Sequence, residues 1–290
     1  MATLKLENVS YTYGQGTPFE IKALDDVTLS VREGSVTGII GHTGSGKSTM
    51  VQLFNGLERP TAGRVLLDGE DIWDKKNKNK LRDVRFRVGL VMQYPEYQLF
   101  EETIGEDIAF GPRNMGLDEG EIRVRVQEAA RFVGLAPDVL AKSPFDLSGG
   151  QRRRAAIAGV LAMRPEVLVL DEPAAGLDPR GRDAILEGIR TYGRETGATV
   201  IIVSHSMEDM AAYCDDIIVM AHARVVLAGS RDEVFAHADT LAEVGLDVPQ
   251  ITHLALLLKK AGVALPPSIY TVDAAAFALT KLFGKGLRSE

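Results

Sequence analysis

The sequence lacks most of what would tie it to oxidation, to a bilayer or to nucleic acid. One cysteine, Cys214, stands among 290 residues. An internal disulfide is excluded, the fold does not depend on oxidation, and a reducing compartment is the simpler expectation. Long apolar runs are missing as well. The longest near the C-terminus, LALLL from Leu254, falls far short of the roughly 20 residues that span a bilayer. The opening MATLKLENVS alternates polar and apolar residues and has no signal-peptide core. Any membrane role is therefore expected to come through a partner. No long basic block occurs apart from KKNKNK, Lys75 to Lys80, and 33 basic against 40 acidic residues leave a net charge of -7. That balance argues against nucleic acid as the main ligand, and the block reads as a solvated loop or as a contact for acidic lipid. There is no internal repeat and no low-complexity tract.

What is present is a chain with 45% hydrophobic residues, enough for a large core in one or two domains. LKLENVSYTY and DVTLSVREG alternate as antiparallel strands do, whereas VTGIIG, VLVLDEP and VIIVSH are short apolar runs suited to strands buried on both faces. After Lys47, the residues Met50, Leu53, Phe54 and Leu57 follow the spacing of a helical stripe. The expected fold is α/β: a parallel core with an antiparallel β portion on its N-terminal side. From Gln93 to Leu147 the strand signal fades into helical patterns, best seen in DEGEIRVRVQEAARFVG with its acidic start and closing Gly134. This predicts a helical insertion over about residues 94–165. A change of character near Arg231 divides the chain into 1–230 and a small helical unit, 231–290. In that unit Asp247 and Pro249 open one helix closed by Gly262, and Thr271 opens another closed by Gly284.

GHTGSGKST, comprising Gly41, His42, Thr43, Gly44, Ser45, Gly46, Lys47, Ser48 and Thr49, matches G-x-x-x-x-G-K-[ST] between a strand and an amphipathic helix. Glycines let backbone N–H groups close around phosphate oxygens. Lys47 neutralises the β and γ charges, and the Ser48 hydroxyl is a ligand for Mg²⁺. Asp171 and Glu172 end a buried strand on the edge where this loop opens, which suits Asp171 to hold Mg²⁺ through water and Glu172 to act as general base on an attacking water. Gln93 and His205 also follow apolar runs and can reach that edge, Gln93 to sense Mg²⁺ and the water, His205 to touch the γ-phosphate. LSGGQ, Leu147 to Gln151, opens a basic and then Ala-rich helix, so Ser148, Gly149, Gly150 and Gln151 form an anion-attracting N-terminus. A plain Ser148 helix cap is the competing explanation, and it leaves the paired glycines unexplained.

The order of GHTGSGKST, Gln93, LSGGQ, VLVLDEP, AAGLD and His205 resembles the nucleotide-binding domain of ATP-binding-cassette (ABC) proteins, over roughly Met1 to Gly229. The resemblance implies a P-loop ABC-type ATPase that binds ATP with Mg²⁺. It implies a head-to-tail dimer in which Ser148, Gly149, Gly150 and Gln151 face the γ-phosphate of a partner's ATP, and Asp178 at the dimer interface. Tyr13 in YTYG would stack on the adenine, with Tyr11 as the competing tyrosine. Ala174 departs from the Thr or Ser common there and removes no catalytic residue. QYPEYQLFEETIGEDIAFGPRNMGL and RRRAAIAGVLAMRPEVLVLDEPAAGLDPRGR are similar to ATPase subunits of energy-coupling factor (ECF) transporters, of the cobalt-transporter group. This implies uptake of a vitamin or metal ion. The expected partners are a second ATPase subunit, identical or homologous, a transmembrane scaffold subunit and a substrate-binding membrane subunit, at the cytoplasmic face of the membrane. It also implies a C-terminal helical unit that aids dimerisation. Tyr94, Tyr97, Leu99 and Phe100 then form an apolar cluster placed to pass nucleotide state to a docked membrane helix. A soluble ABC ATPase in a cluster-assembly or DNA-repair system is the alternative. Against its DNA form stand the acidic balance and the lack of a coiled-coil insertion between Lys47 and Leu147.

Overall fold

The computed structural model describes residues 2–74, 80–263, 265 and 269–283. Strands β1 (Leu4–Tyr13) and β2 (Ile21–Val31) pair antiparallel, and their alternation turns one face to the core. Strand β3 (Val36–Gly41) is buried throughout and runs through a glycine loop into helix α1 (Lys47–Phe54). Gly56, at φ +65°, terminates that helix, so Leu57, expected on its apolar stripe, lies past the end and is 45% exposed. Strands β4 (Ala62–Leu67) and β5 (Glu70–Asp71) complete an antiparallel sheet in the order β2-β1-β4-β5.

Helix α2 (Lys80–Arg87) leads into β6 (Val88–Val91). Of the basic block, residues 75–79 lie outside the described residues, and Lys80 pairs with Glu70 at 3.1 Å. Helices α3 (Ile104–Asn114), α4 (Glu119–Phe132) and α5 (Gly149–Leu161) then fill the interval in which the strand signal fades. Asp118 caps α4 by accepting from the Gly120 and Glu121 amides, which is the acidic start seen in the sequence.

The chain continues through β7 (Val167–Asp171), α6 (Pro179–Thr196), β8 (Thr199–Val203), α7 (Met207–Tyr213) and the antiparallel hairpin β9 (Asp216–Ala221) and β10 (Arg224–Ser230). These strands form a second sheet, β10-β9-β3-β8-β7-β6, parallel from β9 to β6. Both of its faces are covered. Ile40, Leu168, Leu170, Val200 and Ile202 point to the helices on one side. Ile39, Val167, Val169, Ile201 and Val203 point to α1 and the antiparallel sheet on the other. That two-sided burial is why these strands read as unbroken apolar runs.

Among the described residues, four helices follow: α8 (Arg231–Ala236), α9 (Ala238–Glu243), α10 (Gln250–Lys260) and α11 (Val272–Phe283). Val234, Phe235, Leu241, Leu246 and Val248 belong to the same buried cluster as the helical side of the main sheet. By contrast α10 buries no residue, and α11 buries only Ala275 and Ala278. Leu257, Phe277 and Phe283 are exposed at 52%, 74% and 68%, outside the small cluster of Ile269, Ala275 and Ala278 beside these helices. Gly262 follows α10 at φ +86°, and Thr271 precedes α11; Gly284 lies outside the described residues. Among the described residues no helix is long and apolar enough to cross a membrane.

Candidate active site

The parallel sheet brings the predicted residues to one edge. Asp171 sits opposite Val203 in the β7–β8 register, so Glu172 and His205 emerge side by side just beyond the strand ends. Beside them β3 delivers the glycine loop. Gly41 is forced by its surroundings: a Cβ there would lie 2.3 Å from the Met220 carbonyl oxygen and 2.6 Å from Ser45 Oγ. Gly46 has φ +102°, and a Cβ there would meet the Ala23 carbonyl at 2.3 Å.

Lys47 Nζ donates to the carbonyls of Gly41 at 2.6 Å and His42 at 2.8 Å, spanning the loop. Burial pulls its ammonium below the ordinary lysine range, against the attraction of Glu172 and Asp171. Asp171 is buried and accepts from the Ser48 hydroxyl. Burial pushes its carboxyl above the usual range, opposed by that hydrogen bond and by Lys47.

Glu172 departs from the strand at φ +53°, a left-handed conformation unusual for a non-glycine residue, with its amide held by the Val203 carbonyl at 3.0 Å. The turn sends two adjacent acids different ways, Asp171 inward to Ser48 and Glu172 toward His205, whose Nδ1 lies 2.9 Å from Oε1.

Two joined cavities, of about 460 and 540 Å³, share Thr43, Lys47 and Glu172 and form one trough. The first is walled by Tyr13, Gly44, Gly46, Ser48, Thr49, Gln93 and Asp171. The second adds His42, His205 and the stretch Gly245 to Asp247. The two tyrosines separate here. Tyr13 faces the trough with its hydroxyl 3.0 Å from Thr49 Oγ1, while Tyr11 is buried and donates to Glu58 at 2.6 Å. Ser45 Oγ is buried in the loop without a hydrogen-bond partner, an orphan that a phosphate oxygen would satisfy. The loop, its lysine and the buried acid fit a phosphate chain with its divalent cation.

LSGGQ does not reach this trough. Ser148 caps α5, its Oγ accepting from the Gln151 amide at 3.3 Å while Gln151 Oε1 accepts from the Ser148 amide at 3.1 Å. The capping box accounts for Ser148 and Gln151. Beyond it, Gly149 has open space where a Cβ would stand. Asp178 likewise caps α6 through the Gly181 amide at 3.0 Å.

Some contacts escaped the sequence. Arg153, in the α5 run, donates to Glu96 at 2.7 Å and to the Ala175 carbonyl, and its guanidinium lies 5.7 Å from the Tyr94 ring centroid. It ties the turn after Gln93 to α5, the helix that LSGGQ opens, and to the segment after Glu172. Arginine in a run of three gives no sign of which one is buried. Nor did the sequence place Gly245 to Asp247, almost two hundred positions from the loop, in the trough wall.

A family profile described as ABC transporter matches residues 24–175. Over 273 residues, 94% of this chain and 95% of the relative, the sequence is 56% identical to the energy-coupling factor transporter ATP-binding protein EcfA2 of Clostridium acetobutylicum. The protein of the same name from Symbiobacterium thermophilum is 55% identical over 273 residues, 94% of each chain. Among solved structures, cbiO1 from Clostridium perfringens, part of the ABC transporter complex cbiONQ, superposes with TM-score 0.73 at 41% identity, covering 87% of this chain and 97% of that one. A dimeric ATP-binding cassette in a post-hydrolysis state, bound to ADP and Pi, gives TM-score 0.70 at 30% identity over 79% of this chain and 98% of that one. With its phosphate loop, paired acids and signature helix in the matching order, the chain belongs to the ABC transporter family, as an ATPase among the energy-coupling factor transporter ATP-binding proteins.

Proposed function

We propose that ATP lies along the trough with its adenine at Tyr13 and its phosphates in the loop Gly41 to Thr49, where Lys47 offsets the β and γ charges. Ser48, Asp171 and Gln93 would hold Mg²⁺, which when bound neutralises charge on the phosphate oxygens. Glu172 takes the proton of the attacking water, and His205, oriented by Glu172, donates to the γ-phosphate. The observation that carries this reading is the convergence of Lys47, Asp171, Glu172 and His205 on one sheet edge.

Ser148 to Gln151 stand apart from the chain's own trough, which supports a role toward the phosphate of a second ATPase subunit bound head to tail. Two ATP molecules then close the dimer and hydrolysis reopens it, since the γ-phosphate touches both subunits only when closed. The exposed apolar surface of α10 and α11 supports a contribution of the C-terminal unit to that dimer. A groove of about 400 Å³ lined by Leu99, Phe100, Phe110, Gly111, Ala156 and Met163 supports docking of a helix from a transmembrane scaffold. Gln98, five residues after Gln93, also lines it, so nucleotide state and scaffold are read by one segment. A substrate-binding membrane subunit completes an importer of a vitamin or metal ion at the cytoplasmic face of the membrane.

Affinity purification from detergent-solubilised membranes of the native host, with partners identified by mass spectrometry, tests this. Recovery of a related or identical ATPase with an integral membrane scaffold is the expected result. Recovery from the soluble fraction alone, with soluble partners, would leave the nucleotide chemistry and remove the importer.

A further inference from the structure

The second half of the trough has a wall that the nucleotide motifs do not supply. Its contact with the phosphate loop is direct: His42 Nε2 lies 2.7 Å from the carbonyl oxygen of Val244. A carbonyl only accepts, so Nε2 carries the proton and donates.

The receiving segment is built to stay where it is. It is the turn after α9, in which the Gly245 amide donates to Ala242 at 2.9 Å and the Leu246 amide to Leu241 at 2.8 Å. Leu241, Leu246 and Val248 anchor it in the main core. Gly245 takes φ +69°, a conformation that favours glycine, and a Cβ there would stand 2.9 Å from His42 Nε2 and push the ring out of place. On the loop side the His42 carbonyl accepts from Lys47 Nζ. A continuous path therefore runs from the Val244 carbonyl through the His42 side chain and backbone to the ammonium that faces the phosphates. Three residues beyond Asp247 the chain enters α10.

We propose that His42 is a positioning residue through which the Val244–Gly245 turn holds the phosphate loop, so that ATP affinity depends on the segment leading into the C-terminal helices. By reciprocity, ATP binding steadies that segment. The inference rests on the ATPase assignment and adds a part of the chain outside its motifs to the nucleotide site.

The test uses the full chain and its His42→Ala, His42→Gln and Gly245→Ala variants. Binding of the non-hydrolysable analogue AMP-PNP with Mg²⁺ is measured by calorimetry, and hydrogen exchange is followed over residues 238–249. Glutamine keeps an N–H donor at similar reach. In the wild type and His42→Gln the analogue slows exchange in that segment. His42→Ala binds roughly two- to tenfold more weakly, the net worth of one hydrogen bond, and its segment no longer responds. Gly245→Ala weakens binding from the opposite side of the contact. Wild-type affinity in His42→Ala or Gly245→Ala overturns the proposal, as does a His42→Gln variant as weak as His42→Ala. A wild type that fails to bind the analogue removes the ATPase assignment, and this inference with it.

Discussion

His205 Nδ1 lies 2.9 Å from Glu172 Oε1, a contact across the ends of two neighbouring parallel strands. A carboxylate only accepts, so Nδ1 donates to Glu172, and a donation from Nε2 to the γ-phosphate requires the doubly protonated ring. The amide oxygen of glutamine accepts from Nδ1 equally well, so Glu172→Gln removes a base while leaving the ring oriented. Turnover is expected to fall by roughly 10² to 10⁴, the range for loss of general-base catalysis, with ATP binding and dimer formation retained. Phosphate release and size-exclusion chromatography with ATP measure the two sides, and wild-type turnover would remove Glu172 from this role.

Ser148 has two separable duties. Ser148→Ala removes the cap of α5 and should cost about 1 kcal/mol, visible as a small fall in the thermal midpoint, and it only weakens the ATP-dependent dimer, since the glycine amides remain. Ser148→Arg adds a long side chain where a partner's phosphate is to dock and should abolish the dimer. A dimer formed normally by the arginine variant would count against a site shared between subunits.

Arg153 is buried and pairs with the half-buried Glu96, their side chains 5% and 13% exposed. Burial, the largest influence on Glu96, raises its pKa, yet hydrogen bonding and the charge of Arg153 together hold the carboxyl below the usual range. A pKa lowered on folding contributes stability that is fully present above the unfolded-state value of about 4.5 and is lost as pH falls through the folded one. Glu96→Gln leaves the guanidinium uncompensated and should cost roughly 3–5 kcal/mol. It should also flatten the stability profile on the acid side of pH 4.5 relative to wild type. Denaturant titrations between pH 3 and 7 decide it: equal profiles in the two proteins would deny the pair any energetic role.

Phe110 is 43% exposed and meets Phe100 edge to face, with ring centroids 4.9 Å apart. An aspartate there puts charge into the groove far from the phosphate loop. Phe110→Asp should keep ATPase activity of the isolated chain within about twofold, as for a surface change, and lose recovery with the membrane fraction. Full membrane recovery would relocate the docking site.

The nucleotide edge was legible because its residues carry spacing and type together: a glycine loop between strand and helix, and acids closing an apolar run. Less was legible where the signal was backbone conformation. The β9–β10 hairpin turns on His222 and Ala223, at φ +50° and +64°, where Asn-Gly would announce such a turn. Leu57 fitted the helical period but lay past a glycine that stops α1. Contacts between distant segments, Arg153 with Glu96 and His42 with Val244, leave no periodic trace at all.

Glu172 occupies a left-handed backbone position that a glycine or asparagine would adopt with less strain, a difference on the order of 1–3 kcal/mol. Selection of this chain for heat tolerance alone would therefore drift toward replacing the side chain proposed to take the proton of the attacking water. The survivors of such a screen would be robust and inert, and a laboratory seeking a hardier variant has to hold this position fixed before it begins.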